Sequence, residues 1–173
     1  ARLRHALERD EFVLHYQPVV DLRQRTLIGV EALIRWNDPR HGLLAPGEFI
    51  GLAEDTGAIV AIGHWVLQTA CAQLKLWSAD PDTEDLVLAI NVSARQFHTA
   101  GFVQQVEYIL RDTGVPPSRL LLEITESVVL ENRLESIARI RQLKALGLLI
   151  SIDDFGTGYS SLAYLRDLPA DEV

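Results

Sequence analysis

Oxygen-bearing side chains stand in or at the ends of short apolar segments of this sequence, where they could bind divalent metal ions. Glu31, Asn91 and Glu123 each lie in one such segment, and the adjacent pair Asp153 and Asp154 closes another. Neighbouring carboxylates repel each other unless a cation lies between them. Oxygen ligands favour Mg²⁺, Mn²⁺ or Ca²⁺, and the five histidines show no spacing typical of a zinc site. The pattern therefore indicates a site for a hard cation.

The number of carboxylates indicates the chemistry of that site. Four carboxylates in one place would carry a charge of about −4, which two divalent ions would balance. Two ions about 3.5–4 Å apart stabilise both the attacking and the leaving oxygen when water displaces a phosphoester. Each residue also has an ordinary alternative: an exposed strand residue for Glu31, a turn cap for Asn91, and a solvated turn for the pair Asp153 and Asp154. The residues by themselves leave these alternatives open.

Three further polar residues belong to the same prediction. Arg35 shares the strand parity of Glu31, so it could contact a phosphate, although a surface ion pair is an equal alternative. Gln17 matches a position near the end of the first predicted strand. Glu126 follows Glu123 by three residues and should face another way, which suggests that it holds the glycine-rich loop after residue 154.

The elements that must position these residues alternate between strands and helices. Apolar patterns predict strands over residues 12–22, 27–36, 86–93, 120–125 and 148–153, and helices over residues 2–9, 59–74, 102–110, 134–143 and 160–167. Such alternation favours parallel strands in an α/β fold. The oxygen ligands share one strand face with small or polar residues, whereas the other face carries the bulky residues Leu88, Ile90, Val92, Leu120, Leu122, Ile124, Ile150 and Ile152. This pattern predicts an incomplete (β/α) TIM-type barrel, with about five of the eight strands.

Composition limits the function classes. The chain has 173 residues with 24 acidic and 16 basic side chains, so its net charge of −8 argues against binding a nucleic acid polymer. It has one cysteine, which fits a reducing cytoplasm, and no apolar run long enough to indicate membrane contact. We therefore expect a cytoplasmic domain, even if the parent protein is anchored in a membrane through another domain.

Five sequence blocks together resemble the EAL domain family of bacterial cyclic-di-GMP phosphodiesterases. They span nearly the whole chain in the order of the family, and their combination is far more specific than the tripeptide Glu-Ala-Leu alone. The blocks are Tyr16-Gln17-Pro18, Glu31-Ala32-Leu33-Ile34-Arg35-Trp36, Asn91-Val92-Ser93-Ala94-Arg95-Gln96-Phe97, Leu122-Glu123-Ile124-Thr125-Glu126-Ser127 and Asp153-Asp154-Phe155-Gly156-Thr157-Gly158-Tyr159-Ser160-Ser161-Leu162.

The resemblance implies a (β/α) barrel whose first strand runs antiparallel to its neighbours. It also implies hydrolysis of cyclic-di-GMP to linear pGpG with two Mg²⁺ or Mn²⁺ ions, Ca²⁺ being inhibitory. The implied metal ligands are Glu31, Asn91, Glu123, Asp153 and Asp154, with Asp153 bridging both ions. Catalysis would use three of the four acidic ligands, Glu31, Asp153 and Asp154, together with Glu126, which stabilises the loop. The substrate contacts would be Gln17, Leu33 and Arg35.

The same resemblance implies partners and raises one alternative. A homodimer is expected through the loop of residues 153–162, and an upstream sensor or diguanylate cyclase domain is expected in the parent protein. In the family pattern, a Lys follows the position of Val173 and a further Glu lies on a later strand. Residues 1–173, taken as an EAL domain without these groups, are expected to hydrolyse cyclic-di-GMP poorly. A receptor that binds cyclic-di-GMP without cleaving it is the alternative function.

Overall fold

A computed structural model describes residues 2–154 and 168–172 of the chain. Its strands are β1 (Phe12–Asp21), β2 (Thr26–Asp38), β3 (Gly42–Leu44), β4 (Val87–Asn91), β5 (Leu120–Thr125) and β6 (Leu149–Asp153). Its α-helices are α1 (Arg2–Glu8), α2 (Ile50–Asp55), α3 (Ala58–Trp77), α4 (Ala94–His98), α5 (Phe102–Thr113), α6 (Glu126–Glu131) and α7 (Arg133–Ala145). Short 3-10 turns cover Pro46–Glu48 and Pro117–Arg119.

The strands form one sheet in the order β1-β2-β4-β5-β6, with the short β3 paired to β2. β1 runs antiparallel to β2, whereas β2, β4, β5 and β6 run parallel to one another. The antiparallel first strand is therefore confirmed. β1 is an edge strand of the described sheet, which is where a proline such as Pro18 is tolerated because it has no N–H to donate.

The bulky face of the parallel strands packs under the helices, as predicted. Leu88, Ile90, Leu122 and Ile150 are at most 1% exposed and belong to the central hydrophobic cluster. Helix α3 contacts β1 and β4, α7 contacts β6, and α5 contacts both α3 and α7. This arrangement buries one face of the sheet and leaves the small and polar face for the site.

The structure also differs from the sequence prediction in its short elements. The predicted loop after the second strand contains β3, and helices α2, α4 and α6 were not predicted. The third predicted strand ends at Asn91 and not at residue 93, because the hydroxyl of Ser93 accepts the backbone N–H of Gln96 and caps α4. Helices of only five or six residues are too short to show a clear 3.6-residue period. The helix predicted over residues 160–167 lies outside the described residues.

The close approach of β2 to β4 depends on a glycine. Gly29 pairs with Val87, and a Cβ atom at position 29 would lie 2.6 Å from the Val87 carbonyl oxygen. Because backbone would have to move, we expect Gly29→Ala to lower the free energy of unfolding by about 1–3 kcal/mol, measured by urea denaturation. Gly51→Ala is the control, since position 51 lies in α2 with open space around it and alanine is the better helix former. Equal stability of the two variants would contradict the prediction.

Candidate functional site

The small and polar face of the sheet carries a row of polar residues across adjacent strands. Asn91 lies opposite Glu123 in the β4–β5 register, and Glu123 lies opposite Ser151 in the β5–β6 register. Ser151 in turn forms a parallel bridge with Glu172, which lies beside β6. Residues paired in this way project to the same face of a sheet, so two predicted metal ligands and one additional carboxylate share a row.

Glu31 joins this row through a side-chain hydrogen bond. The Asn91 amide nitrogen donates to Glu31 Oε1 at 2.7 Å, which connects residues 60 positions apart in the chain. Glu31 also lies opposite Gln17 in the β1–β2 register. The structure thus brings Glu31, Asn91 and Gln17 together at the β1, β2 and β4 side of the site.

The predicted acidic pair ends the last described strand. Asp153 closes β6 opposite Thr125, and its carboxylate accepts the backbone N–H of Asp154 at 2.8 Å. Asp154 has a φ of 56°, in the left-handed region that few non-glycine residues adopt. The Asp154 N–H thus bonds the Asp153 carboxylate at the end of β6, and both side chains are exposed.

Crowding of carboxylates changes the titration of one of them. The pKa of Glu123 is raised to about 7, first because its side chain is half-buried and then because Glu31, Asp153 and Glu172 are negatively charged neighbours. Such electrostatic coupling places four carboxylates around one region of the sheet. Glu172 was missed by the sequence analysis because only the backbone pairing of residues 171–172 with β6 brings it to this region.

A titration of the metal-free protein tests this arrangement. We expect Glu172→Gln to lower the pKa of Glu123, because it removes one of the negative charges that disfavour ionisation. The fall should be smaller than that caused by Glu31→Gln, since Glu31 is the stronger of the two influences. Carbon-13 NMR of the Glu123 carboxyl group is the measurement. Glu107→Gln on the exposed surface of α5 is the control and should leave the titration unchanged.

The remaining predicted residues lie around the site in different environments. Leu33 is half-buried in β2, and Arg35, also half-buried, makes one hydrogen bond within the described residues, from Nη1 to the Ile34 carbonyl at 2.9 Å. Glu126 is 3% exposed at the start of α6, where the positive end of a helix favours a carboxylate. The loop that Glu126 was predicted to hold lies largely outside the described residues, so that role stays a prediction, as does dimerisation through the loop.

A cavity of about 340 Å³ opens beside Asn91 and Glu123, between the strand ends and helices α2 and α3. Leu33 and other apolar side chains form much of its wall, and its polar lining consists of Glu54, Asn91, Ser93, Gln96, Glu123 and Thr125. Helix α3 passes so close to the Gln96 amide that any side chain at Gly63 would overlap with it. Gln96 is buried, and its Nε2 has no hydrogen-bond partner in the described part of the chain.

The donor chemistry of the site fits a divalent cation. Its candidate ligands are carboxylates and one amide, which are hard oxygen donors. Within residues 2–154 and 168–172, no three His, Cys, Asp or Glu side chains converge closely enough to hold one metal ion. The carboxylates nevertheless influence one another, because burial and then the charges of Glu31, Asp153 and Glu172 raise the pKa of Glu123.

Comparison with known proteins identifies the family. The family model of the EAL domain matches residues 1–173. The bifunctional diguanylate cyclase/cyclic di-GMP phosphodiesterase MucR of Pseudomonas aeruginosa is 53% identical over 171 residues, which are 99% of this chain and 25% of MucR. The signaling protein YkoW of Bacillus subtilis is 46% identical over 167 residues, 96% of this chain and 21% of YkoW. The chain therefore spans about a quarter of the length of these relatives.

Solved structures agree with this result. The PaMucR phosphodiesterase in complex with c-di-GMP has a TM-score of 0.92 and 50% identity, over 98% of this chain and 70% of that one. The EAL enzyme Bd1971 in its cAMP- and cyclic-di-GMP-bound form has a TM-score of 0.89 and 36% identity, over 98% of this chain and 46% of that one. The predicted TIM-type barrel is thereby confirmed as the fold, and the chain belongs to the EAL domain family of cyclic-di-GMP phosphodiesterases.

Proposed function

We propose that this chain is the EAL domain of an active phosphodiesterase that hydrolyses cyclic-di-GMP to linear pGpG. The observation that carries the proposal is the group of four carboxylates, Glu31, Glu123, Asp153 and Glu172, on the polar side of the sheet, where burial and the charged neighbours raise the pKa of Glu123 to about 7. Holding like charges together destabilises the fold, so the arrangement is best explained by a cation that binds between them. Mg²⁺ or Mn²⁺ is the cation proposed, with two ions per site.

Each predicted residue has a role in this proposal. Glu31, Asn91, Glu123 and Asp153 would hold the first ion, and Asp154 would join Asp153 in holding the second. When bound, the two ions lower the pKa of a water molecule and neutralise charge on the phosphate. The Asn91 amide already orients the Glu31 carboxylate at 2.7 Å, so this part of the ligand set is organised before any ion binds.

Substrate binding would use polar side chains of β1 and β2 and the cavity beside Leu33. The guanidinium of Arg35 has donors free of hydrogen bonds within the described residues and could contact a phosphate, while the exposed amide of Gln17 lies opposite Glu31. The cavity beside Leu33 is apolar with a polar rim, and its volume of about 340 Å³ suits one purine base of the dinucleotide. The proposal also includes an EAL domain over residues 1–173, a homodimer, and an upstream sensor or diguanylate cyclase domain in the parent protein.

The test is turnover by the protein that carries this chain. Cyclic-di-GMP is incubated with it and Mg²⁺ or Mn²⁺, and pGpG is measured by chromatography, while calorimetry measures binding in Ca²⁺. Formation of pGpG that requires Mg²⁺ or Mn²⁺ supports the proposal. Binding without pGpG in either metal would overturn it in favour of a cyclic-di-GMP receptor, and the absence of both binding and turnover would overturn both functions.

A further inference from the structure

Helix α4 directly follows the strand that carries Asn91, and its C-terminus is held by a residue from another helix. Arg139 of α7 donates from Nη1 to the backbone carbonyls of Phe97 and, at 3.3 Å, of Thr99. Its guanidinium also lies over the Phe97 ring, 5.6 Å from the ring centroid. The last carbonyls of a helix have no partner within it, and a cation there also complements the helix dipole. Arg139 therefore fastens the end of α4 to α7.

The neighbouring residue fastens α4 to a second helix. His98 Nε2 lies 3.2 Å from the backbone carbonyl of Val128 in α6, and 3.7 Å from the carboxylate of Glu131. A carbonyl oxygen only accepts hydrogen bonds, so the His98 Nε2 atom carries a proton and donates. Ser136 of α7 donates to the same Val128 carbonyl at 3.4 Å. The short helices that leave β4 and β5 are thus connected to each other and to α7.

These connections lie close in the chain to the proposed metal ligands. Asn91 ends β4 three residues before α4 begins, and Glu123 lies in β5 three residues before α6 begins. The two strand ends also bond directly, because the Val92 N–H donates to the Glu123 carbonyl at 2.9 Å. A shift of α4 relative to α6 would therefore disturb this backbone hydrogen bond and change the distance between Asn91 and Glu123.

We propose that Arg139 and His98 are positioning residues that fix the separation of Asn91 and Glu123 by locking α4 to α6 and α7. The inference rests on the proposed metal site, but it concerns residues outside the proposed set of metal ligands and substrate contacts. Groups that hydrogen-bond directly to metal ligands typically change metal affinity by about 10- to 100-fold when they are replaced. Arg139 and His98 act through the backbone of α4 and α6, so an effect at the lower end of that range is expected.

The test compares two substitutions on one helix in the protein that carries this chain. Arg139→Met removes the bonds to α4 and keeps an unbranched side chain, whereas Arg141→Met makes the same change at an exposed position of α7. We expect Arg139→Met to weaken Mn²⁺ binding about 10-fold in calorimetry, and Arg141→Met to leave it unchanged. A folded Arg139→Met protein with unchanged Mn²⁺ affinity would overturn the inference while the proposed function stands.

A second pair of variants separates positioning from stability alone. His98→Phe cannot donate to the Val128 carbonyl, whereas the amide of His98→Gln can. We expect Mn²⁺ affinity to fall in His98→Phe and to stay close to that of the unaltered protein in His98→Gln, although both variants change a packed residue. Equal affinity in the two would count against a positioning role for His98.

One readout does not depend on metal. If the unaltered protein binds no Mn²⁺, the proposed metal site fails, and the inference is then judged on the side-chain amide resonances of Asn91 in the metal-free protein. Arg139→Met should shift these NMR resonances because the hydrogen bond to Glu31 is disturbed, and Arg141→Met should not. Unshifted resonances would overturn the inference independently of the proposed function.

Discussion

Asp153→Asn is expected to reduce the hydrolysis of cyclic-di-GMP at least ~100-fold, with little change in the fold. Asp153 ends β6 on the same face of the sheet as Glu123, and it is one of the charges that raise the pKa of Glu123, so its carboxylate belongs to the candidate site. Charge stabilisation by a metal supplies several kcal/mol to phosphoester cleavage, and each 1.36 kcal/mol is a factor of ten in rate. An amide is neutral and binds a divalent ion less strongly than a carboxylate does.

The measurement is the rate of pGpG formation at saturating Mg²⁺ in the protein that carries this chain. Asp112→Asn, at an exposed position near the end of α5, is the matched control and should retain the full rate. Calorimetry in Ca²⁺ should show weaker cyclic-di-GMP binding for Asp153→Asn. A variant that keeps more than a tenth of the original rate would show that Asp153 does not ligate the catalytic ions.

Glu123→Gln is expected to stabilise the metal-free protein at pH 8 and to abolish its stabilisation by metal. The pKa of Glu123 is about 7 in the folded protein against an ordinary value of 4.5. The folded state therefore binds more protons between these values, and the contribution of Glu123 to stability, complete below pH 4.5, is lost as the pH rises through 7. A neutral glutamine removes this loss at pH 8 and makes little difference at pH 4.5.

The expected gain is modest because the Glu123 side chain is only half-buried and solvent screens its charge. We expect about 1 kcal/mol, or about 2–4 °C in melting temperature for a chain of this size. Added Mg²⁺ should raise the melting temperature of the unaltered protein, since ligands that bind only the native state stabilise it, and should leave Glu123→Gln unchanged. A Glu123→Gln variant that melts at a lower temperature than the unaltered protein at pH 8 without metal would contradict the prediction that ionised Glu123 destabilises the fold.

Much of the fold was predictable because strand faces are encoded locally. Alternate residues of a strand point to opposite sides, so the bulky set that includes Leu88 and Ile150 identified the helix-covered face, and the oxygen-bearing set identified the site. The structure confirms that division, since Asn91 and Glu123 do pair across β4 and β5. Family membership was likewise predictable from five short blocks that keep their order along the chain.

Other features were not predictable because they depend on contacts between segments that are far apart in the sequence. Glu172 reaches the carboxylate group only through its backbone pairing beside Ser151, and nothing in its local sequence marks it as a site residue. The hydrogen bond from Asn91 to Glu31 joins residues 60 positions apart, and the bond from Arg139 to Phe97 joins residues 42 positions apart.

Local sequence patterns were therefore enough to predict the class of fold and the strand face that carries the oxygen-bearing side chains of the candidate site. The burial of Glu123 and the identity of its charged neighbours, which together raise its pKa, depend on the tertiary structure. The tertiary structure also decided that Gln96 lies buried against Gly63 beside the cavity. A local pattern specifies which way a side chain points, whereas electrostatic coupling and packing depend on distances that are set by strand register and by contacts between helices far apart in the chain.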